Sequence, residues 1–245
     1  MKHKDRLTKV LEEDQYLSGH IGNGKLHNGL LYYVLSNVQA PETCVCLGSG
    51  AGSVPAFMRE GQIASLPSDE ASTAKTFLVD ADALTEGGGD WGSTVVHDED
   101  SSFRLQYKDI EVLKMSTDDS CEYFANKKIL IDYLHIDADH SYAQSFKDFE
   151  NFYRTYSLMS PDFIITMHDT AINFLDGGDG GVGRAIANIR QKYTELEVMD
   201  FNAPCETPGP IWDGKFDGKY KAGTCIIKPK IPNKFEDHDS GEFFK

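Results

Sequence analysis

The hydrophobic positions of this chain change period several times, and each change marks an element. Leu26, Leu30, Leu31, Val34 and Leu35 recur at helical spacing and predict a helix over 26–38; a shorter one is predicted over 5–14. Thr43-Cys44-Val45-Cys46-Leu47 is a short apolar run that ends on a glycine cluster, the pattern of a buried strand entering a tight turn. Further strands are predicted at Thr76–Asp80, Ile110–Met115, Ile129–Asp137, Phe163–His168, Leu196–Phe201 and Thr224–Lys228. Helices are predicted between most of them, over 53–60, about 119–127, 142–157 and 180–194.

Strands alternating with helices imply parallel pairing through right-handed crossovers. The fold class expected is α/β, a doubly wound, mostly parallel seven-stranded sheet flanked by helices. One domain over 1–230, with an N-terminal helical segment, accounts for the pattern. Residues 83–106 are polar and glycine-rich and read as a long loop or hairpin, residues 61–75 as an insertion, and 231–245 as a mobile tail.

Length and charge narrow the function. The 245 residues suit one full α/β domain, and a net charge of −15 repels a phosphate backbone and an anionic membrane alike. No apolar stretch reaches the roughly 18 residues of a membrane span, and the charged opening segment lacks the apolar core of a secretory signal. Five scattered cysteines without a CxxC pair point to buried thiols in a reducing compartment, hence a cytoplasmic address. The partner expected is a small molecule rather than nucleic acid or membrane; self-association into a homo-oligomer stays open.

Two regions carry chemistry. Gly48-Ser49-Gly50-Ala51-Gly52 lies between a strand and a helix. Glycines there permit positive φ and close backbone approach, and the amides that follow can hold a carboxylate, phosphate or hydroxyl. The GxGxG spacing departs from the dinucleotide fingerprint, which makes Gly48, Ser49, Gly50 and Gly52 candidates for a different nucleoside ligand. Asp80, with Asp82 just beyond, closes the second strand, where an acid suits ribose hydroxyls; it follows Gly52 by 28 residues, against about 20 in dinucleotide folds. An ordinary glycine turn and a strand-end aspartate are the alternatives.

The second region is His135-Ile136-Asp137-Ala138-Asp139-His140-Ser141-Tyr142, together with His168-Asp169 at the end of the next strand. Ligands of open α/β sheets bind at the carboxyl ends of strands, where both clusters fall. So many ionisable groups in one place call for neutralisation. A divalent cation held by Asp137, His168 and Asp169 provides it: oxygen donors favour Mg²⁺ or Mn²⁺, and a nitrogen widens the choice. The alternative is pairing among the side chains themselves, with Asp139 capping the helix that follows Ser141. His135 shares a strand face with Asp137 and is either a ligand or a hydrogen-bonded support.

With LGSGAG, LHIDADHSY and IITMHDT in hand, the chain over about 26–195 resembles the class I S-adenosylmethionine-dependent methyltransferases. It is most similar to the subgroup of metal-dependent sugar O-methyltransferases and cephalosporin-hydroxylase-like proteins. The resemblance implies that Gly48, Ser49, Gly50, Gly52 and Asp80 hold S-adenosylmethionine. It also implies that Asp137 and Asp169 ligate a metal, with His168 in place of an acid, and that Asp139 or His140 is the general base. His140 is the preferred base, because Asp139 can be drawn to helix capping. Cys46 stands where relatives carry an acid before the glycine turn. The implied reaction is O-methylation of a small hydroxylated, sugar-like acceptor. Two other readings accompany it: a metal-dependent hydrolase of the metallo-β-lactamase-like type, suggested by the HxDxDH run, and a catalytically silent methyltransferase-like binding module.

Overall fold

A computed structural model describes residues 6–7, 27–48, 50, 52–81, 93–170, 180–201 and 223–230. Ser49, Asp82, most of the helix expected over 5–14, the 202–222 segment and the 231–245 tail lie outside the described residues.

The elements follow in the order α1 (His27–Gln39), β1 (Thr43–Leu47), α2 (Ser53–Ser65), α3 (Ser68–Thr73), β2 (Lys75–Val79), α4 (Ser93–His97), α5 (Ser102–Gln106) and β3 (Ile110–Leu113). They continue with α6 (Thr117–Lys127), β4 (Ile131–Ile136), α7 (Tyr142–Glu150), a π-helical turn (Asn151–Thr155), β5 (Met159–His168), α8 (Gly181–Lys192), β6 (Leu196–Phe201) and β7 (Thr224–Pro229). The seven strands form one sheet in the order β3-β2-β1-β4-β5-β7-β6. Its first five strands are parallel, and β7 inserts antiparallel between β5 and β6. This is the mostly parallel, doubly wound sheet that the strand–helix alternation predicts.

Strand alternation sorts the core onto two faces. Val45, Leu47, Val79, Leu134, Ile136, Ile165 and Met167 point to one, where Phe124 of α6, Phe149 of α7 and Ile186 and Ile189 of α8 cover them. Cys44, Cys46, Leu78, Tyr133, Ile164 and Ile226 point to the other, beneath Tyr32 of α1 and Phe57 of α2. Four of the cysteines, Cys44, Cys46, Cys121 and Cys225, are buried free thiols, as expected; Cys205 lies outside the described residues.

The structure departs from the sequence-based expectation in three places. On α1, Leu30, Val34 and Val38 point outward, while Tyr32 and Ser36 are fully buried and Leu31 and Leu35 partly so. The apolar positions alone do not mark the buried face, because the Ser36 hydroxyl is satisfied by the Met58 carbonyl at 2.7 Å and can go inside. The insertion over 61–75 is helical: α2 runs to Ser65, and α3 follows. Of the loop or hairpin expected over 83–106, residues 93–106 hold two single-turn helices and 83–92 lie outside the described residues; Val96 and Phe103 anchor the helices, and the Ser101 hydroxyl caps α5 by accepting the Arg104 amide at 3.2 Å. Helices this short leave no periodicity to read.

One buried acid gives the fold a pH signature. Asp148 of α7 is buried; its Oδ1 accepts bonds from Thr117 at 2.7 Å and Gln144 at 2.8 Å, whereas Oδ2 has no hydrogen-bond partner among the described residues. Burial pushes its carboxyl up from 3.8 to about 6. A pKa raised by folding favours the folded state at low pH, and that advantage fades as pH rises through the folded value. Asp148→Asn removes the buried charge but leaves an amide N–H₂ to satisfy. Its effect on stability should therefore be more favourable at pH 8 than at pH 4 by roughly 2–3 kcal/mol, checked by denaturant titration at both.

Candidate active site

Register assembles the site. Leu47 of β1 pairs with Val79 of β2 and with Ile136 of β4, and Ile136 pairs with Met167 of β5. The residues one step beyond these form a row across the carboxyl edge of the sheet: Asp80, Gly48, Asp137 and His168. Backbone bonds extend the ladder to that row, from Gly48 N–H to the Val79 carbonyl at 2.8 Å, from Asp137 N–H to Leu47 at 2.9 Å and from Asp80 N–H to Leu113 at 3.1 Å.

The glycine turn sits at the centre of the row. Gly48, Gly50 and Gly52 have φ of 72°, 48° and 92°, in the left-handed region that side chains rarely adopt. A Cβ on Gly48 would lie 2.2 Å from the Asp137 carbonyl oxygen, and one on Gly52 would lie 2.4 Å from the Phe103 ring. Two of the glycines thus seat the turn against the β4 end and against α5, which brings the two candidate regions into contact. Gly52 also caps α2, so the amides of that helix open at the turn.

Cys46, two residues earlier, donates its thiol to the Gly48 carbonyl at 3.1 Å. Burial, reinforced by the charges of Asp137 and Asp80, holds the thiol well above its ordinary range, so it is a neutral donor. Asp80 is buried at the end of β2, and its Oδ1 lies 3.4 Å from Nε2 of His97 on α4. The sequence offered no sign of His97, because its segment reads as a loop.

Asp137, His140, His168 and Asp169 form a closed arrangement of alternating charge. His140 Nε2 is 3.1 Å from Asp137 Oδ1 and 3.3 Å from Asp169 Oδ2. His168 Nδ1 is 3.5 Å from Asp137 Oδ2 and 3.1 Å from Asp169 Oδ1. Asp169 reaches this position from a left-handed backbone, φ 58°, uncommon for a residue other than glycine and frequent at functional sites. Burial opposes every charge here, but the opposite charges prevail. His168 and the histidine bonds hold Asp137 well below the carboxylate range, and Asp169 is lowered too. The two carboxylates raise His140 and lift His168 well above ordinary imidazole values.

His135 stands behind Asp137. Its Nδ1 meets the Thr166 hydroxyl at 2.8 Å, Thr166 donates to the Tyr133 hydroxyl at 3.3 Å, and Nε2 lies 3.8 Å from Asp137 Oδ2. It is placed as a support for that carboxylate. Asp139 is exposed, and its Oδ1 accepts the backbone N–H of Ser141 at 2.7 Å. It turns to a backbone amide as expected, but to that of the cap residue; the cap itself is Ser141, whose hydroxyl accepts the Gln144 amide at 3.3 Å. His140 precedes the helix.

Donor atoms of Asp137, His168 and Asp169 lie within 4.8 Å of one another. Ligand bonds of about 2.0–2.2 Å place opposite donors about 4–4.4 Å apart, so the three residues fit one ion after a small contraction. Two carboxylates and an imidazole also balance a divalent charge. For a nucleoside-bearing cofactor, the observations that fit are the glycine turn at the start of α2 and the buried acid beside it, one row position away.

No protein-family model matches the chain, and a search of curated proteins finds no match. Solved structures do match. The O-methyltransferase from Bacillus cereus, in complex with S-adenosylhomocysteine, is 16% identical, with a TM-score of 0.62 over 92% of this chain and 91% of that one. TomG, an O-methyltransferase from Streptomyces achromogenes involved in tomaymycin synthesis and bound to S-adenosylmethionine, is 11% identical, with a TM-score of 0.58 over 92% of this chain and 90% of that one. The S-adenosylhomocysteine-bound methyltransferase PaMTH1 from Podospora anserina is 9% identical, with a TM-score of 0.58 over 94% and 88%. The chain has the fold of these methyltransferases. Among the described residues, no helix is long and apolar enough to cross a membrane.

The contact between Gly48 and Asp137 yields a stability test. Gly48→Ala places a Cβ against the Asp137 carbonyl in a left-handed backbone, and should cost about 2–4 kcal/mol by denaturant unfolding. Unchanged stability would mean that the turn is not seated on β4.

Proposed function

We propose that the chain is an S-adenosylmethionine-dependent O-methyltransferase acting on a small hydroxylated, sugar-like acceptor with the help of a divalent cation. The observation that carries this reading is the single row of Asp80, Gly48, Asp137 and His168 along the carboxyl edge of a sheet with the methyltransferase fold. Within that row the glycine turn and Asp80 form the cofactor half. Asp137, His140, His168 and Asp169 form the acceptor half. The alternating strand–helix order supports this reading over the hydrolase alternative.

When bound, S-adenosylmethionine supplies a methyl group already activated on a sulfonium. Gly48, Gly50 and Gly52 let the backbone approach its amino-acid end, with Ser49 in the same turn, and Asp80, steadied by His97, takes the ribose hydroxyls. The neutral Cys46 thiol, where relatives use an acid, ties the Gly48 carbonyl without adding charge. Asp137, His168 and Asp169 would hold the divalent cation, which lowers the pKa of a coordinated hydroxyl. The chain must then align the acceptor oxygen with the methyl group and accept its proton. His140 is the base best placed for this, because its Nε2 lies 3.1 Å from Asp137, whereas Asp139 is turned to the Ser141 amide.

Calorimetry should detect S-adenosylhomocysteine binding and no NAD binding. Gly50→Val, which puts a β-branched side chain at φ 48°, should abolish it. NAD binding without S-adenosylhomocysteine binding would overturn the cofactor assignment; binding without turnover over a broad acceptor panel would favour the silent module.

His140→Ala should lower kcat by about 100-fold or more with little change in cofactor affinity. The neutral imidazole is the base, so activity should rise with pH through the histidine's own titration and lose that limb in the variant. Near-normal turnover by His140→Ala with inactive Asp139→Asn would reverse the two roles.

A further inference from the structure

Resting on the reading of Asp137, His168 and Asp169 as a cation site, we infer that the site selects a first-row transition cation, from Fe²⁺ to Zn²⁺, over Mg²⁺. The donor set argues for this. His168 lies at the last position of β5, nearly inaccessible to solvent, and its Nδ1 faces both carboxylates, 3.1 Å from Asp169 and 3.5 Å from Asp137. It is the nitrogen member of the three side chains whose donors lie within 4.8 Å.

Mg²⁺ requires near-ideal octahedral oxygen coordination and keeps several waters. Here one of three protein donors is an imidazole, and Asp169, like His168, is buried. Imidazole suits Fe, Ni, Cu and Zn, whereas carboxylate, carbonyl and water suit Mg²⁺. Two carboxylates and a neutral imidazole cancel the charge of any divalent cation, so the choice among them rests on the nitrogen donor that His168 adds. His135 supports the assignment from behind, because the Thr166 hydroxyl at 2.8 Å fixes the ring that backs Asp137.

The test uses the full chain stripped with a chelator and titrated separately with Co²⁺ and Mg²⁺, read by calorimetry and by the visible absorption of bound Co²⁺. Co²⁺ should bind at least about 100-fold more tightly than Mg²⁺ and show an absorption band. His168→Asp should shrink that ratio by about tenfold or more and shift the band. His168→Ala, which removes the nitrogen without adding charge, should lose most of the Co²⁺ affinity. Binding of S-adenosylhomocysteine, measured on the same samples, reports whether each variant is folded at the neighbouring turn. Its absence from the wild-type protein would count against the methyltransferase reading, while the Co²⁺ titration would still decide the cation preference. The inference is overturned if neither cation binds, if Mg²⁺ comes within tenfold of Co²⁺, or if neither His168 variant changes the ratio or the band.

Discussion

The parallel register of β2, β1, β4 and β5 is the constraint on which the rest of the structure depends. Once Leu47 pairs with both Val79 and Ile136, and Ile136 with Met167, the next residue of each strand falls into one line. A slip of one residue in any strand would turn its member of that line to the opposite face of the sheet. The packed rows beneath, with Val79, Leu47, Ile136 and Met167 in one core and Cys46 and Leu78 in the other, fix the register by hydrophobic burial. Positioning of the site is therefore a consequence of core packing, and the polar groups need only occupy the places that the core assigns.

Charge balance is the second constraint. Each of two imidazoles lies 3.1–3.5 Å from both of two carboxylates in a largely buried position. Burial of any one charge alone would be prohibitive, and each is tolerated because it faces the opposite sign. The arrangement is stable in itself, and it also brings two carboxylates and a nitrogen close enough for a shared ion. Pairing among the side chains and the proposed cation binding would draw on one set of residues.

Most of this architecture was legible in the sequence, because it rests on long-period patterns and strand-end motifs. The seven strands and the α/β class followed from the alternation of apolar runs with helical segments. The glycine turn and the two acid–histidine clusters were found because each abuts an apolar strand. What escaped was short or satisfied by distant partners. The single-turn helices α4 and α5 have no period, so His97 beside Asp80 could not be foreseen. The inward face of α1 is not marked by its apolar residues, because Ser36 is paired with a carbonyl 22 positions along the chain. That His140 lies between Asp137 and Asp169 depends on the left-handed turn at Asp169, which the residue names do not reveal.

The central claim is that one edge of the sheet holds both a methyl donor and the group that receives its methyl. A crystal structure with S-adenosylhomocysteine tests it most directly. The account predicts ribose hydroxyls within hydrogen-bond distance of Asp80, the amino-acid end at Gly48–Gly52, and the sulfur facing Asp137 and His140. A ligand bound elsewhere, or a sulfur turned away from those two residues, would contradict it.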